Sequence, residues 1–227
     1  MAQQLFFDLP AIPALGREDF FAASANAVAL AFVDQWPDWP DGKLVLLGPE
    51  GSGKTHLVHV WAKRSNARII SATDLADVDV PAMVDRPVAV EDVTRIAGDR
   101  ACETALFHLH NLLRAEGQSL MLTAQKPPSR WGLALPDLTS RMMAAATTEI
   151  DPPDDLLLSV VMAKLFADRQ IVPTGDVIPY LVNRIDRSFA IARKVVAAMD
   201  DLALSEKRDV TRPIAARVIA DLEQVAD

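Results

Sequence analysis

The sequence predicts an α/β fold: a parallel sheet layered between helices that binds a phosphate, followed by a small all-α unit. Three observations carry this. The first is the octet Gly48-Pro49-Glu50-Gly51-Ser52-Gly53-Lys54-Thr55, which fits G-x-x-x-x-G-K-[ST]. The second is its setting, with the apolar run Lys43–Leu47 before it and the helical pattern His56–Lys63 after it. The third is the loss of all strand patterning beyond Asp151-Pro152-Pro153-Asp154, where prolines break the chain and Asp154 can cap a helix. Three segments are expected on this basis: an extended arm over 1–16, the sheet domain over 17–151 and a helical lid over 152–227.

The glycine-rich octet is where the chemistry concentrates. Gly48 ends the strand, while Gly51 and Gly53 let the backbone take positive φ, so that successive N–H groups converge on an anion at a helix N-terminus. Ser52 and His56 complete the stretch that would line the phosphates. Lys54 would reach the β- and γ-phosphates, and the Thr55 hydroxyl would hold Mg²⁺. The pattern implies a nucleoside phosphate ligand.

Taken in order, the arm contains Gln4-Leu5-Phe6-Phe7, which is apolar for a terminus. Asp19 or Ser24 is expected to cap a helix reaching about Gln35, with Phe21, Ala25, Val28, Ala29 and Phe32 on one face. The Trp36–Gly42 stretch then breaks the chain, its tryptophans read as packing. A second strand is expected over 67–72. A third, Pro87–Val90, runs into Glu91 and Asp92, a position from which carboxylates can hold Mg²⁺ or its water. Asp99 caps a helix to about Glu116, on which His108 and His110 do not share a face and so make poor metal ligands. The strand Leu120–Ala124 delivers Gln125 to its tip, where an amide could touch a γ-phosphate or an attacking water. A helix over 135–143 carries Arg141, and a last strand is expected near 147–150. Four helices follow, over about 155–169, 176–184, 187–204 and 211–226.

Composition narrows the function classes. The chain has 227 residues, 50% of them hydrophobic, and a formal net charge of −8. That acidity argues against a dedicated nucleic-acid surface and against sequence-specific DNA binding. The single Cys102 rules out an internal disulfide and suits a reducing, cytoplasmic setting. The opening residues lack the basic and apolar regions of a signal peptide, and no apolar run approaches the ~20 residues of a membrane span, so no membrane contact is expected.

Taken together these segments resemble an AAA+ ATPase module with its helical lid, and more narrowly the DnaA family of bacterial replication initiators, within it the Hda type. The resemblance runs through the phosphate loop 48–57, the Walker B segment Val88–Val93, the sensor I stretch Leu120–Pro128, the segment Leu135–Arg141 and the sensor II stretch Arg184–Ser188. It implies that Arg141 is an arginine finger, with Glu91 and Asp92 sharing the catalytic chemistry, and that Arg187 senses the nucleotide from the lid. It also implies ADP or ATP with Mg²⁺ as the bound species. The initiator continues into a DNA-reading helix-turn-helix where this chain ends, and Gln4-Leu5-Phe6-Phe7 resembles a peptide that docks on the polymerase sliding clamp. The implied partners are therefore the clamp and DnaA, with self-association through the same AAA+ surfaces left open. Two departures matter. Glu91 stands where the family usually has Asp, and Gln125 replaces an acidic residue. Both point to a weak ATPase that acts mainly by activating hydrolysis in a partner chain. A stand-alone ATPase and a helicase-loader-like module are the alternatives.

Overall fold

The computed structural model describes residues 25–226. Five strands form one sheet in the order β2-β3-β4-β1-β5, every neighbouring pair parallel. They are β1 (Lys43–Leu47), β2 (Arg68–Ser71), β3 (Val88–Glu91), β4 (Leu120–Ala124) and β5 (Ala146–Glu149). β1 reads as an unbroken apolar run because both faces of the sheet are covered. Val45 and Leu47 pack toward one face with α3 (Arg100–Ala115) and α4 (Pro136–Met143). Leu44 and Leu46 pack toward the other with α1 (Ala27–Asp34) and α2 (Lys54–Ser65). β4 divides the same way, Leu120 and Leu122 to the first face and Met121 to the second. Each such fully buried aliphatic side chain contributes about 1.5–3 kcal/mol, so the alternation holds the register of the strand that ends in the phosphate loop.

The first helix departs from expectation. α1 opens only after Asn26 and buries Ala29, Leu30 and Val33, while Val28 is 64% exposed. A long-range contact sets the start: the Ala25 carbonyl accepts a 2.9 Å bond from the Asp151 amide, fixing the chain beside the end of β5 just before the helix begins. The proposed caps Asp19 and Ser24, with Phe21, lie outside the described residues, as does Gln4-Leu5-Phe6-Phe7. The tryptophans pack as expected. Trp39 lies 5.2 Å from Trp61, ring centre to ring centre, and Trp36 donates to the Ser119 hydroxyl at 3.0 Å. The acidic 74–85 connection forms two short 3₁₀ turns, Ala72–Asp77 and Val80–Met83, laid on α3.

Beyond Asp154, whose carboxylate accepts from the Leu157 amide at 2.7 Å, four helices pack around a cluster of their own. They are α5 (Asp155–Asp168), α6 (Val177–Val182), α7 (Phe189–Glu206) and α8 (Arg212–Ala226). α7 starts two residues later than its apolar spacing suggested, because the Ser188 hydroxyl caps it by accepting from the Ala190 and Ile191 amides. Arg187 therefore stands before the cap, off the helix.

Candidate functional site

The carboxyl ends of the central strands bring most of the nominated residues together. β1 runs into Gly48, whose amide donates to the Ala124 carbonyl at 3.2 Å, so the loop starts level with Gln125 on the next strand. Gly51 (φ 73°) and Gly53 (φ 102°) both take the left-handed backbone that the octet requires, and Gly53 serves as the N-cap of α2. The first amide bonded within that helix is that of Leu57, to the Gly53 carbonyl, so the amides of Gly53, Lys54 and Thr55 come ahead of it at the open end. Ser52 is buried, and its hydroxyl, which has no partner among the described residues, lies beneath Gly48: a Cβ there would come 2.6 Å from it.

Lys54 is buried and folds back on its own loop, its Nζ donating to the Gly48 carbonyl at 2.7 Å and the Pro49 carbonyl at 2.8 Å. Burial holds its pKa below the usual lysine value, against the opposing pull of Asp92, Glu50 and Glu91. A phosphate would replace two carbonyl dipoles with a full negative charge, the stronger partner for a partly desolvated ammonium. Thr55 donates to Glu91 Oε1 at 2.7 Å, which joins the end of the loop to the end of β3. Asp92 follows with φ 57°, its amide donating to the buried Thr123 hydroxyl of β4 at 2.9 Å. Thr55, Glu91 and Asp92 are thus hard oxygen donors on adjacent elements, which suits Mg²⁺. Among the described residues no cluster of three or more His, Cys, Asp or Glu side chains could hold a metal by itself. An ion here would take its remaining ligands from phosphate oxygens and water.

The lid meets the loop directly. The Phe189 amide donates to the Gly51 carbonyl at 3.1 Å, and the Ser188 hydroxyl reaches the Glu50 carbonyl at 3.4 Å. A Cβ at Gly51 would lie 2.5 Å from Ser188 Oγ, 2.7 Å from Ala190 Cβ and 2.8 Å from the Ala190 nitrogen. Gly51→Ala is therefore expected to lose about 1–3 kcal/mol of stability, from left-handed strain plus separation of α7 from the loop. Urea denaturation measures it, and an unchanged midpoint would show that the contact is dispensable.

Of the two nominated cations, Arg187 adjoins the contact between lid and loop, and Arg141 lies apart from it. Arg187, 60% exposed, pairs with Asp155 at the start of α5, Nε to Oδ1 3.0 Å. Arg141 is exposed near the end of α4, and its carbonyl accepts from buried Lys43 Nζ at 3.2 Å. Lys43 opens β1, so Arg141 stands at the amino edge of the sheet. A five-residue strand, at about 3.3 Å per residue, separates that edge from the phosphate loop. Buried His110 and exposed Arg114 lie in the same neighbourhood; burial first, then Lys43, Arg141 and Arg114, hold the His110 pKa low.

One residue of structural consequence for this region escaped the sequence reading. Glu103 on α3 is fully buried and accepts from the amides of Gly98, Ala134 and Leu135 at 2.8–2.9 Å. It ties the turn after β3 to the loop that launches α4. The signal was a carboxylate on the apolar face of a helix, one turn from Leu106.

Comparison with solved structures identifies the architecture. Domain III of the DnaA replication initiation protein from Thermotoga maritima superposes with a TM-score of 0.80 at 17% identity, over 94% of this chain and 98% of that one. The fold is a DnaA-like AAA+ fold. The replication initiator DnaA bound to AMPPCP and single-stranded DNA gives a TM-score of 0.69 at 19% identity, over 86% of this chain and 68% of that one. A Thermotoga maritima RuvB mutant gives 0.67 at 17% identity, over 90% and 71%. No protein-family model matches the sequence. No helix among the described residues is long and apolar enough to cross a membrane.

Proposed function

We propose that the chain is a nucleotide-binding regulator of DNA replication initiation, which docks on the sliding clamp and promotes ATP hydrolysis in DnaA. In this reading ADP or ATP lies on residues 48–56, with Lys54 against the β- and γ-phosphates and Gln125 beside them. Mg²⁺ bound by Thr55, Glu91 and Asp92 would neutralise phosphate charge. Gln4, Leu5, Phe6 and Phe7 form the clamp-docking peptide, leucine and aromatics entering an apolar pocket on the clamp. Arg141 serves as the finger that offsets transition-state charge on the partner's nucleotide.

The observation that carries the reading is the separation of Arg141 from its own phosphate loop. An arginine one strand-length from the loop is out of reach of the chain's own γ-phosphate but free at an edge to meet another chain's. A second support is the small size of the catalytic apparatus on this chain: Glu91 is engaged by Thr55, and an amide rather than a carboxylate stands at the tip of β4. The DnaA structure solved with AMPPCP shares this fold, which agrees with an adenine nucleotide as ligand.

The test is ATP hydrolysis by DnaA in the presence of the DNA-loaded clamp and this chain. Wild type should accelerate it, Arg141→Ala should remove about 10³ of that acceleration, and Gln4→Ala/Leu5→Ala should remove its dependence on the clamp. Hydrolysis by the chain alone, indifferent to DnaA and to Arg141→Ala, would replace this reading with a stand-alone ATPase.

A further inference from the structure

We propose that Lys43 is a positioning residue for Arg141: from inside the sheet domain it fixes the backbone from which the arginine reaches another chain's nucleotide. The inference rests on the arginine-finger reading above. It adds a residue that the sequence offered only as the first position of an apolar strand.

Packing alone secures α4 poorly. The helix has eight residues, of which Leu138 and Met142 are buried. A helix this short is marginal unless tertiary contacts hold it. Two buried charges from other elements supply such contacts, one at each end. At the start, Glu103 of α3 accepts from the Ala134 and Leu135 amides. At the end, Lys43 Nζ donates to the Arg141 carbonyl at 3.2 Å. That carbonyl belongs to the last turn, where intrahelical donors run out. The Ala145 amide, four residues on and the ordinary candidate, turns to the Met142 carbonyl at 3.1 Å. Lys43 thus takes the place of a missing backbone donor at the residue that carries the guanidinium.

The strand dictates this placement. Alternation along β1 puts Lys43 on the side of Val45 and Leu47, which pack toward α3 and α4. β1 pairs with β5 from Leu44 and Ala146 onward, so the chain leaving α4 enters the sheet beside Lys43. The lysine is 4% exposed and forms no ion pair among the described residues. Burial lowers its pKa; Asp41 opposes that, and Arg114 and Arg141 reinforce it. Burying an ammonium with no carboxylate in contact costs stability, and a methionine of similar length would fill the space without that cost. What the ammonium adds is direction, a hydrogen bond aimed at one carbonyl. The Arg141 side chain itself is exposed, with no hydrogen bond or ion pair among the described residues. Its backbone is held and its nearest charged neighbour on the strand is a cation, so its counter-charge must come from outside the chain.

The experiment measures ATP hydrolysis by DnaA on the DNA-loaded clamp while the full chain is titrated in. The chains compared are wild type, Lys43→Met, Lys43→Arg, Arg141→Ala and the double variant Lys43→Met/Arg141→Ala. Lys43→Met should lower the saturating rate by about 10-fold and leave the half-saturating concentration unchanged; misplacement by about 1 Å can cost roughly 100-fold. Lys43→Arg keeps a donor and should recover part of the loss. The double variant should lose no more than Arg141→Ala alone, because Lys43 acts through Arg141. ADP affinity of the chain, by calorimetry, should stay at the wild-type value although Lys43 opens the strand that ends in the phosphate loop. Hydrogen exchange at residues 142–145 should rise in Lys43→Met while β1 stays protected. Lys43→Gln, too short to reach the carbonyl, gives the same readout if Lys43→Met does not fold.

The inference is overturned by a wild-type saturating rate in Lys43→Met, or by a further loss when that change is added to Arg141→Ala. Weakened ADP binding or unchanged exchange at residues 142–145 overturns it equally. Failure of wild type to stimulate DnaA overturns the proposed function instead, and raised exchange would then leave Lys43 as an anchor of α4 with no part in hydrolysis.

Discussion

Lys54→Ala should lower ADP and ATP affinity by more than about 100-fold, because two or more charge-assisted bonds to phosphate disappear at once. The ammonium is already held on the Gly48 and Pro49 carbonyls, so the wild-type chain has little conformational entropy left to lose when a phosphate arrives. In the variant the exposed Pro49 carbonyl is open to water, but the buried Gly48 carbonyl loses its donor. Folding should therefore lose about 1–3 kcal/mol. The clean readout is ligand-linked stability: at a nucleotide concentration of 100 times Kd, wild type should gain about 2.7 kcal/mol, and the variant almost none at the same concentration. A variant that keeps the wild-type thermal shift would end the phosphate-loop interpretation.

Glu103→Ala should be the most damaging single change to the fold, costing about 3–5 kcal/mol. Its carboxylate satisfies the Gly98, Ala134 and Leu135 amides from a position with no exposure to water. Removing it strands buried donors as well as leaving a cavity. Glu103→Gln should recover only part of this, since one oxygen becomes an NH₂ group facing amides that also donate. Because the Ala134 and Leu135 amides lie just before α4, the damage should reach Arg141 by loosening its helix. Urea denaturation gives the stability, and hydrogen exchange at residues 134–143 gives the local effect. Protection there equal to wild type would separate Glu103 from the placement of α4.

These two residues differ in how openly the sequence announces them. Lys54 stands in a pattern whose spacing and flanks are local, and the strand, turn and helix around it form where the apolar run and glycines say. Glu103 does its work between segments thirty residues apart, and only its presence on an apolar face hints at it. The lid shows the same division. Its four helices follow from apolar spacing, but the facing of α7 depends on where the helix begins. One capping hydroxyl at Ser188 sets that point and leaves Arg187 just ahead of the helix. α1 was misread for a related reason, since the bond between Ala25 and Asp151 ties together residues that no local pattern links.

The opposed positions of the phosphate loop and Arg141 also constrain assembly. In the proposed reading Arg141 meets the phosphate loop of a different subunit, so the two surfaces brought together are different ones. Where a single such contact joins two subunits, it would be heterologous. It would give the complex a polarity, with an unengaged nucleotide site at one end and an unused arginine at the other, and would permit growth in a row without requiring closure.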